Sequence, residues 1–395
     1  MRRSAVLRLT SALAVAGLVT SCSGPGSAGG GRPEEYKVAL VSTTSGPLAS
    51  YGEQYLHGFE AGLDYATGGT GEIDGVRVAV TRDDDGADPA KAVSLVRKRV
   101  GEGAQIVAGT ISSGVAVRVA PLAARNKTLY ISGPAATDAV TGVDKYVFRS
   151  GRQTHQDVMT AVRILGAVRG RKVVVVAQDN AFGRANAGAV ETILGAEGAV
   201  VRPELVSPAT TDFTPTTGKV RSAEPDLVYV AWAGSTATAL WDALDQEGVL
   251  DSSTVVTGLD LRASYPVLGK ARKKITLLAH YVPEATDNVE ARAMRAYFRK
   301  KGWEEDLFVP DGFNAAQMVV RALKVGGARR DTDAMVRSLE DYGFLGVKGA
   351  MTVRATDHAL LQPMFQAKFG GTGDLPVVEK AFSNPQVAPD EKPIG

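Results

Sequence analysis

The stretch QIVAGTISSGVAVRVA, residues 105–120, contains a whole unit of an α/β fold. Gln105–Ala108 ends in a short apolar run, Gly109–Gly114 (GTISSG) is a hydroxyl-rich turn bounded by glycines, and Val115–Ala120 opens a helix. A brief apolar run of this kind reads as a strand of a buried parallel sheet. The helix that follows begins with N–H groups that lack partners within the helix. Such a start favours a single negative group by about 0.3–2 kcal/mol. On this stretch alone Ser112 or Ser113 is equally an ordinary N-cap. A nucleotide phosphate loop would continue with Lys and Ser or Thr, whereas Val115 and Ala116 stand here, so a guest smaller than a nucleotide is expected.

Outward from this unit the same alternation continues. Strands are expected at Lys37–Val41, Val76–Arg82 and Leu129–Ser132, with helices over Tyr51–Ala66 and over Pro89–Gly101, the latter capped by Asp88. A second series has strands at Lys172–Ala177, Val200–Val206, Leu227–Trp232 and Thr254–Thr257, with helices between them. A strand near Leu277–Tyr281 leads into helices at Glu290–Lys301, Asn314–Val325 and Thr332–Asp341. The end of the body, Gly349–Val353 and Pro363–Phe369, reads as a hairpin. Two βα series in tandem predict two doubly wound α/β lobes with a ligand cleft between the carboxyl ends of their strands.

The first 21 residues stand apart. Arg2, Arg3 and Arg8 precede an apolar run over Leu9–Val19 and then Thr20-Ser21-Cys22, the pattern of a secretory signal peptide. The run is too short for a membrane span, which needs about 20 apolar residues. Cys22 is the only cysteine, so no disulfide within the chain is expected, and Val19-Thr20-Ser21-Cys22 resembles the bacterial lipobox, which implies lipidation of Cys22. Arg2-Arg3 leaves the twin-arginine export route open beside the general one. A Gly/Ser tether follows, and the folded body begins near Tyr36.

Composition narrows the function classes. Lys and Arg total 45 and Asp and Glu 43, with three of the arginines in the export segment, so the body is close to neutral and no nucleic-acid partner is expected. His57, His155, His280 and His358 lie far apart with no metal-ligand spacing, and no metal or cofactor is expected. Asp83-Asp84-Asp85-Gly86 lacks the spacing and closing glutamate of a calcium loop. There is no G-x-S-x-G elbow to make Ser112 or Ser113 a nucleophile, so no catalytic residue is assigned.

Five stretches taken in order, TTSGPLASYGEQYLHGFEAGLDYA, DDDGADPAKAV, VAGTISSGVA, ISGPAATDAVTG and DGFNAAQMV, resemble the branched-chain amino acid (Leu/Ile/Val) binding proteins of ABC importers. The resemblance covers the mature chain. It implies the type I periplasmic binding protein fold, two lobes joined by three crossovers that clasp a free amino acid. On that basis residues 36–149 plus 282–343 form lobe 1, residues 150–281 plus 344–384 form lobe 2, and residues 385–395 are a tail; residues 22–35 are the lipidated cysteine and tether. The crossovers fall near Arg149–Arg152, Leu278–Pro283 and Gly343–Gly349.

Carried over position by position, the resemblance implies that Ser113, with Ser112 beside it, holds the ligand carboxylate. Ala135, Ala136 and Thr137 fall in the loop that supplies a carbonyl, an N–H and a hydroxyl; whether position 136 or 137 takes the hydroxyl role is left open. Asp260 matches the acid that pairs with the ligand ammonium. Trp232, Phe182 (a tyrosine in well-known members), Tyr51 and Phe308 would line an aromatic, largely apolar pocket, with Phe313 a weaker candidate. The expected function is capture of a small apolar α-amino acid by lobe closure and delivery to an ABC permease, without catalysis, by a monomer anchored outside the cell membrane through lipid on Cys22. The alternatives are a sensor of the same fold, a surface hydrolase using Ser113, and a binder of an amide or aromatic acid that lacks the ammonium group.

Overall fold

The computed structural model describes residues 34–394, and the export segment, Cys22 and nearly all of the tether lie outside the described residues. The chain runs β1 (Glu35–Ser42), α1 (Ala49–Ala66), β2 (Glu72–Ile73), β3 (Val76–Asp84), α2 (Pro89–Gly101), β4 (Ile106–Gly109), α3 (Ser113–Arg125), β5 (Leu129–Ser132) and β6 (Val147–Arg149). These strands form one sheet in the order β2-β3-β1-β4-β5-β6, parallel except for β2.

A second set follows with α4 (Thr154–Leu165), β7 (Lys172–Gln178), α5 (Ala181–Ala196), β8 (Val200–Val206), α6 (Thr214–Ser222), β9 (Leu227–Ala231), α7 (Ala237–Gln246), α8 (Val249–Ser252), β10 (Thr254–Gly258) and β11 (Thr276–Ala279). Then come α9 (Val289–Lys301), α10 (Val309–Gly326), α11 (Thr332–Leu339), β12 (Gly343–Gly346), β13 (Gly349–Val353), β14 (Leu360–Leu361), β15 (Met364–Phe369), β16 (Pro376–Phe382) and α12 (Asn384–Val387). The second sheet has the order β16-β15-β11-β10-β9-β7-β8, with only β15 running against its neighbours. Each large sheet is therefore a doubly wound layer. The strand order reverses between β1 and β4 in one and between β7 and β9 in the other. Ligand crevices form at such reversals, where adjacent loops leave in opposite directions.

Each sheet buries apolar side chains on both faces. In β4 and β5 every residue is buried, as is every residue of β9. That explains why these strands read as unbroken apolar runs rather than as alternating ones. Helices α1 and α10 cross at very close range over the first sheet. A Cβ on Gly58 would stand 2.0 Å from the Val309 carbonyl oxygen, and one on Gly312 would stand 2.0 Å from that of Tyr55. Only glycine permits this approach.

The expected terminal hairpin does not form. β13 pairs with β12 and β14 in a third, antiparallel sheet, while β15 pairs with β11 and β16. Met351, Val353 and Leu360 of the small sheet are buried with Tyr36, Val38 and Phe148 of the first. By packing, residues 343–361 thus go with the first lobe, whereas the sequence reading grouped 344–384 with the second. The third crossing accordingly lies at residues 362–363, between β14 and β15, rather than at Gly343–Gly349. Residues 150–153 and 280–288 are the other two stretches that link β6 to α4 and β11 to α9.

The N-terminal half of α10 touches the crossings. Asn314 Nδ2 donates to the Ser150 carbonyl at 3.1 Å. A Cβ on Gly151 would stand 2.7 Å from Asp311 Oδ2. Lys348, fully buried in the turn between β12 and β13, donates to the His280 carbonyl at 2.6 Å.

Candidate functional site

Between the two sheets lies a cavity of about 510 Å³, lined by the ends of strands and the starts of helices from both. From the first lobe come the segment after β1, the turn after β4 and the loop after β5. The second contributes the ends of β7, β9 and β10 and the first turn of α5. These are the loops that the two strand reversals throw apart.

The turn after β4 is held by backbone. Gly109 has φ +110°, and a Cβ there would stand 2.3 Å from the Val41 carbonyl oxygen, so the turn needs glycine. Ser112 precedes α3 in extended conformation but makes no capping bond with its side chain. The Ser113 hydroxyl, almost buried, has no hydrogen-bond partner among the described residues. The start of α3 is therefore uncapped by side chains and opens on the cavity. This is an anion-favouring arrangement.

Opposite it, Asp260 follows the end of β10. Its Oδ1 accepts from the Leu261 N–H at 2.7 Å and from the Tyr51 hydroxyl at 2.6 Å. Burial pushes the Asp260 carboxyl above the usual range, while these donors pull it back down. The same burial, with Asp260 beside it, pushes the Tyr51 phenol up, so the phenol stays protonated and remains a donor. Phe308 meets Tyr51 edge to face at 4.9 Å. Trp232, just past β9, packs edge to face on Phe213 at 5.1 Å and donates from Nε1 to the Thr236 hydroxyl at 3.1 Å. Phe182, in the first turn of α5, completes the aromatic wall.

A model of the periplasmic binding protein family matches residues 35–374. The chain belongs to that family. It is 25% identical over 312 residues to the Leu/Ile/Val-binding protein BraC3 of Rhizobium johnstonii, an alignment that covers 77% of this chain and 83% of that one. Among solved structures it is similar to a branched-chain amino acid ABC transporter protein from Rhodopseudomonas palustris, at 29% identity and TM-score 0.73, covering 89% of this chain and 98% of that one. A solute-binding protein of an ABC transporter from R. palustris, in complex with 4-hydroxybenzoate, has TM-score 0.80 at 22% identity, with 91% and 98% covered; it attests the fold.

This periplasmic binding protein gathers Tyr51, Ser112, Ser113, Ala136, Phe182, Trp232, Asp260 and Phe308 around one cavity. Three expected residues sit elsewhere. Ala135 and Thr137 are buried behind the wall, and their carbonyls accept from the Arg149 guanidinium at 2.8 and 3.3 Å. The Thr137 hydroxyl accepts from the Ala139 N–H at 3.3 Å, a local turn contact. The Ala136 carbonyl accepts from the N–H and the hydroxyl of Thr154, at 2.7 and 3.0 Å. The loop thus fastens the first crossing segment. Phe313 is fully buried in the core, 5.4 Å from Tyr65, and does not line the cavity.

Among the cavity residues that the sequence did not single out are Arg152 and Asp157. Arg152 lies on the first crossing, and its Nε stands 3.2 Å from Asp157 Oδ2, in the first turn of α4. Its Nη1 donates to the Pro134 carbonyl at 3.2 Å, and its guanidinium lies 5.9 Å from the Phe308 ring centre. The signal available was a charged pair in SGRQTHQD, where the chain leaves the first sheet. Among the described residues no group of three or more His, Cys, Asp and Glu could hold a metal ion, and no helix is long and apolar enough to cross a membrane.

Proposed function

We propose that this protein captures a small α-amino acid with a neutral side chain between its lobes and delivers it to an ABC permease. One observation carries the reading. An uncapped helix start with the free Ser113 hydroxyl and a partly buried carboxylate, Asp260, line the same cavity from opposite lobes. An α-carboxylate suits the first and an α-ammonium the second, and a buried charge needs such a partner. A ligand that touches both lobes favours the closed arrangement by its differential affinity, and the permease would read that shape. The relatives named for Leu, Ile and Val, and the aromatic wall, support an aliphatic body on the ligand.

The protein is placed outside the cell membrane as a monomer, anchored by lipid on Cys22. A single acyl chain binds a membrane only marginally, so more than one chain is expected there. Substitution Cys22→Ser should release the protein into the medium or periplasm; retention on the membrane would contradict the anchor.

A second reading is an aromatic acid without an ammonium group. Arg152, the one Lys or Arg among the described residues of the cavity wall, favours it, as does the 4-hydroxybenzoate held by a protein of the same fold. Thermal-shift screening of the Cys22→Ser protein separates the two. A ligand at 100 times its Kd adds about 2.7 kcal/mol of apparent stability. Stabilisation by neutral α-amino acids supports the first reading, and stabilisation by benzoates alone overturns it.

A further inference from the structure

Besides Ser113 and Asp260, the cavity wall carries further polar side chains. Arg152 and Asp157 form an ion pair there at 3.2 Å, and Asp157 is only 5% exposed. Beside them the Tyr229 hydroxyl donates to Asn186 Oδ1 at 2.9 Å, and Asn186 Nδ2 donates to the Phe182 carbonyl at 3.0 Å. All four side chains line the same cavity as Trp232 and Phe182.

Stability alone gives little reason for this pair, since a buried ion pair seldom outperforms apolar packing of the same shape. Its chemistry toward a ligand is specific. The guanidinium retains N–H groups beyond those engaged with Asp157 and the Pro134 carbonyl, and the carboxylate retains an oxygen beyond the one paired with Arg152. A donor and an acceptor thus stand side by side in a wall of no net charge. A distal carboxylate on the ligand would compete with Asp157 for Arg152, and a distal ammonium would compete with Arg152 for Asp157. Either would leave one buried charge short of its partner. A purely alkyl end would cover both groups and satisfy neither. A carboxamide or ureido group accepts through its oxygen and donates through its nitrogen, so it meets both at once.

We propose that Arg152 and Asp157 form a side-chain subsite, and that the preferred ligand is an α-amino acid whose side chain ends in a neutral amide-type group, as in glutamine. The proposal rests on the amino-acid reading above. Leucine shares the head group and the aliphatic body but leaves this wall unfilled.

Calorimetric titration of the Cys22→Ser protein with glutamine, glutamate, lysine, leucine and methionine tests it. Glutamine should bind at least about tenfold more tightly than leucine or methionine, and glutamate and lysine more weakly than glutamine by a larger factor, because unpaired polar groups penalise the wrong ligand. In the double variant Arg152→Gln/Asp157→Asn the ratio of glutamine to leucine affinity should fall below about threefold. Leucine binding as tightly as glutamine or better would overturn the subsite while leaving the amino-acid reading intact. So would a glutamine preference that survives in the double variant. Failure of every amino acid to bind would overturn the amino-acid reading, and the subsite with it.

Discussion

The Tyr51 hydroxyl and the Asp260 carboxylate, 209 residues apart in the chain, meet at 2.6 Å across the cleft. Tyr51 belongs to the first helix of one lobe and Asp260 to a strand end of the other. The bond therefore links the lobes at the place where the ligand ammonium is proposed to sit.

Substitution Asp260→Ala removes that partner and unties Tyr51. A hydrogen bond to a charged group contributes about 1.5–3 kcal/mol, so amino-acid affinity should fall by at least about tenfold. The far-UV spectrum should stay unchanged, because Asp260 lies past the end of β10 and its side chain takes part in no strand or helix pairing. Tyr51→Phe should weaken binding less, since the carboxylate remains. Calorimetry measures both, and unchanged affinity in Asp260→Ala would remove the counter-ion role.

The α1–α10 crossing gives a stability prediction. Gly312→Ala places a methyl group 2.0 Å from a backbone oxygen that no side-chain rotation can relieve. Overpacking of this kind costs about 1–3 kcal/mol and more where backbone must move. Urea denaturation should show a loss at the upper end of that range or beyond. A variant as stable as the parent would mean that the helices do not approach so closely.

A third expectation concerns pH. Burial pushes the Asp311 carboxyl up to about 6 and the Lys348 ammonium down to about 7. Arg149, Arg152 and Asp157 bear on the pair as well, while burial holds His280 well below its ordinary value and so uncharged. Asp311, raised on folding, contributes stability below about pH 4 that is lost as pH rises through about 6. Lys348, lowered on folding, contributes stability at high pH that is lost as pH falls toward about 7. Relative to the double variant Asp311→Asn/Lys348→Met, the parent should be least favoured between about pH 6 and 7. Urea titrations at acidic, near-neutral and alkaline pH measure the difference. A constant difference across the three would contradict these shifts.

Trp232 offers a direct optical report. It lines the cavity, whereas Trp241 and Trp303, the other two tryptophans, do not. Ligand addition should change the intrinsic fluorescence of the parent, and Trp232→Phe should abolish most of that change. A change retained in the variant would place the ligand elsewhere.

The parts of this molecule that local chemistry governs were legible in the sequence. Asp88 accepts from the N–H groups of Ala90 and Lys91 to cap α2 as expected, and GTISSG is the strand-to-helix turn that its glycines and serines suggested. Ser113, Trp232 and Asp260 were assigned to one cleft through the family resemblance, and each also follows an apolar strand, where ligands gather in this architecture. Partnerships set by distant segments were not legible. The apolar run of β13 fits a hairpin with β15 as well as it fits the ribbon it joins, and only packing against Tyr36 and Phe148 separates them. Ala135 and Thr137 lie in the right loop, but the Arg149 guanidinium takes their carbonyls. Arg152 and Asp157 line the cavity where the first crossing enters α4, a placement that no periodicity encodes.

The central claim is that one cavity clamps both ends of an α-amino acid. Calorimetric titration of the ligand-free Cys22→Ser protein with leucine, glutamine, benzoate and 4-hydroxybenzoate tests it most directly. Saturable binding of the neutral amino acids is expected, lost or strongly weakened in Asp260→Ala, with weak or no binding of the two benzoates. Tight binding of a benzoate, with neither amino acid bound, would contradict it.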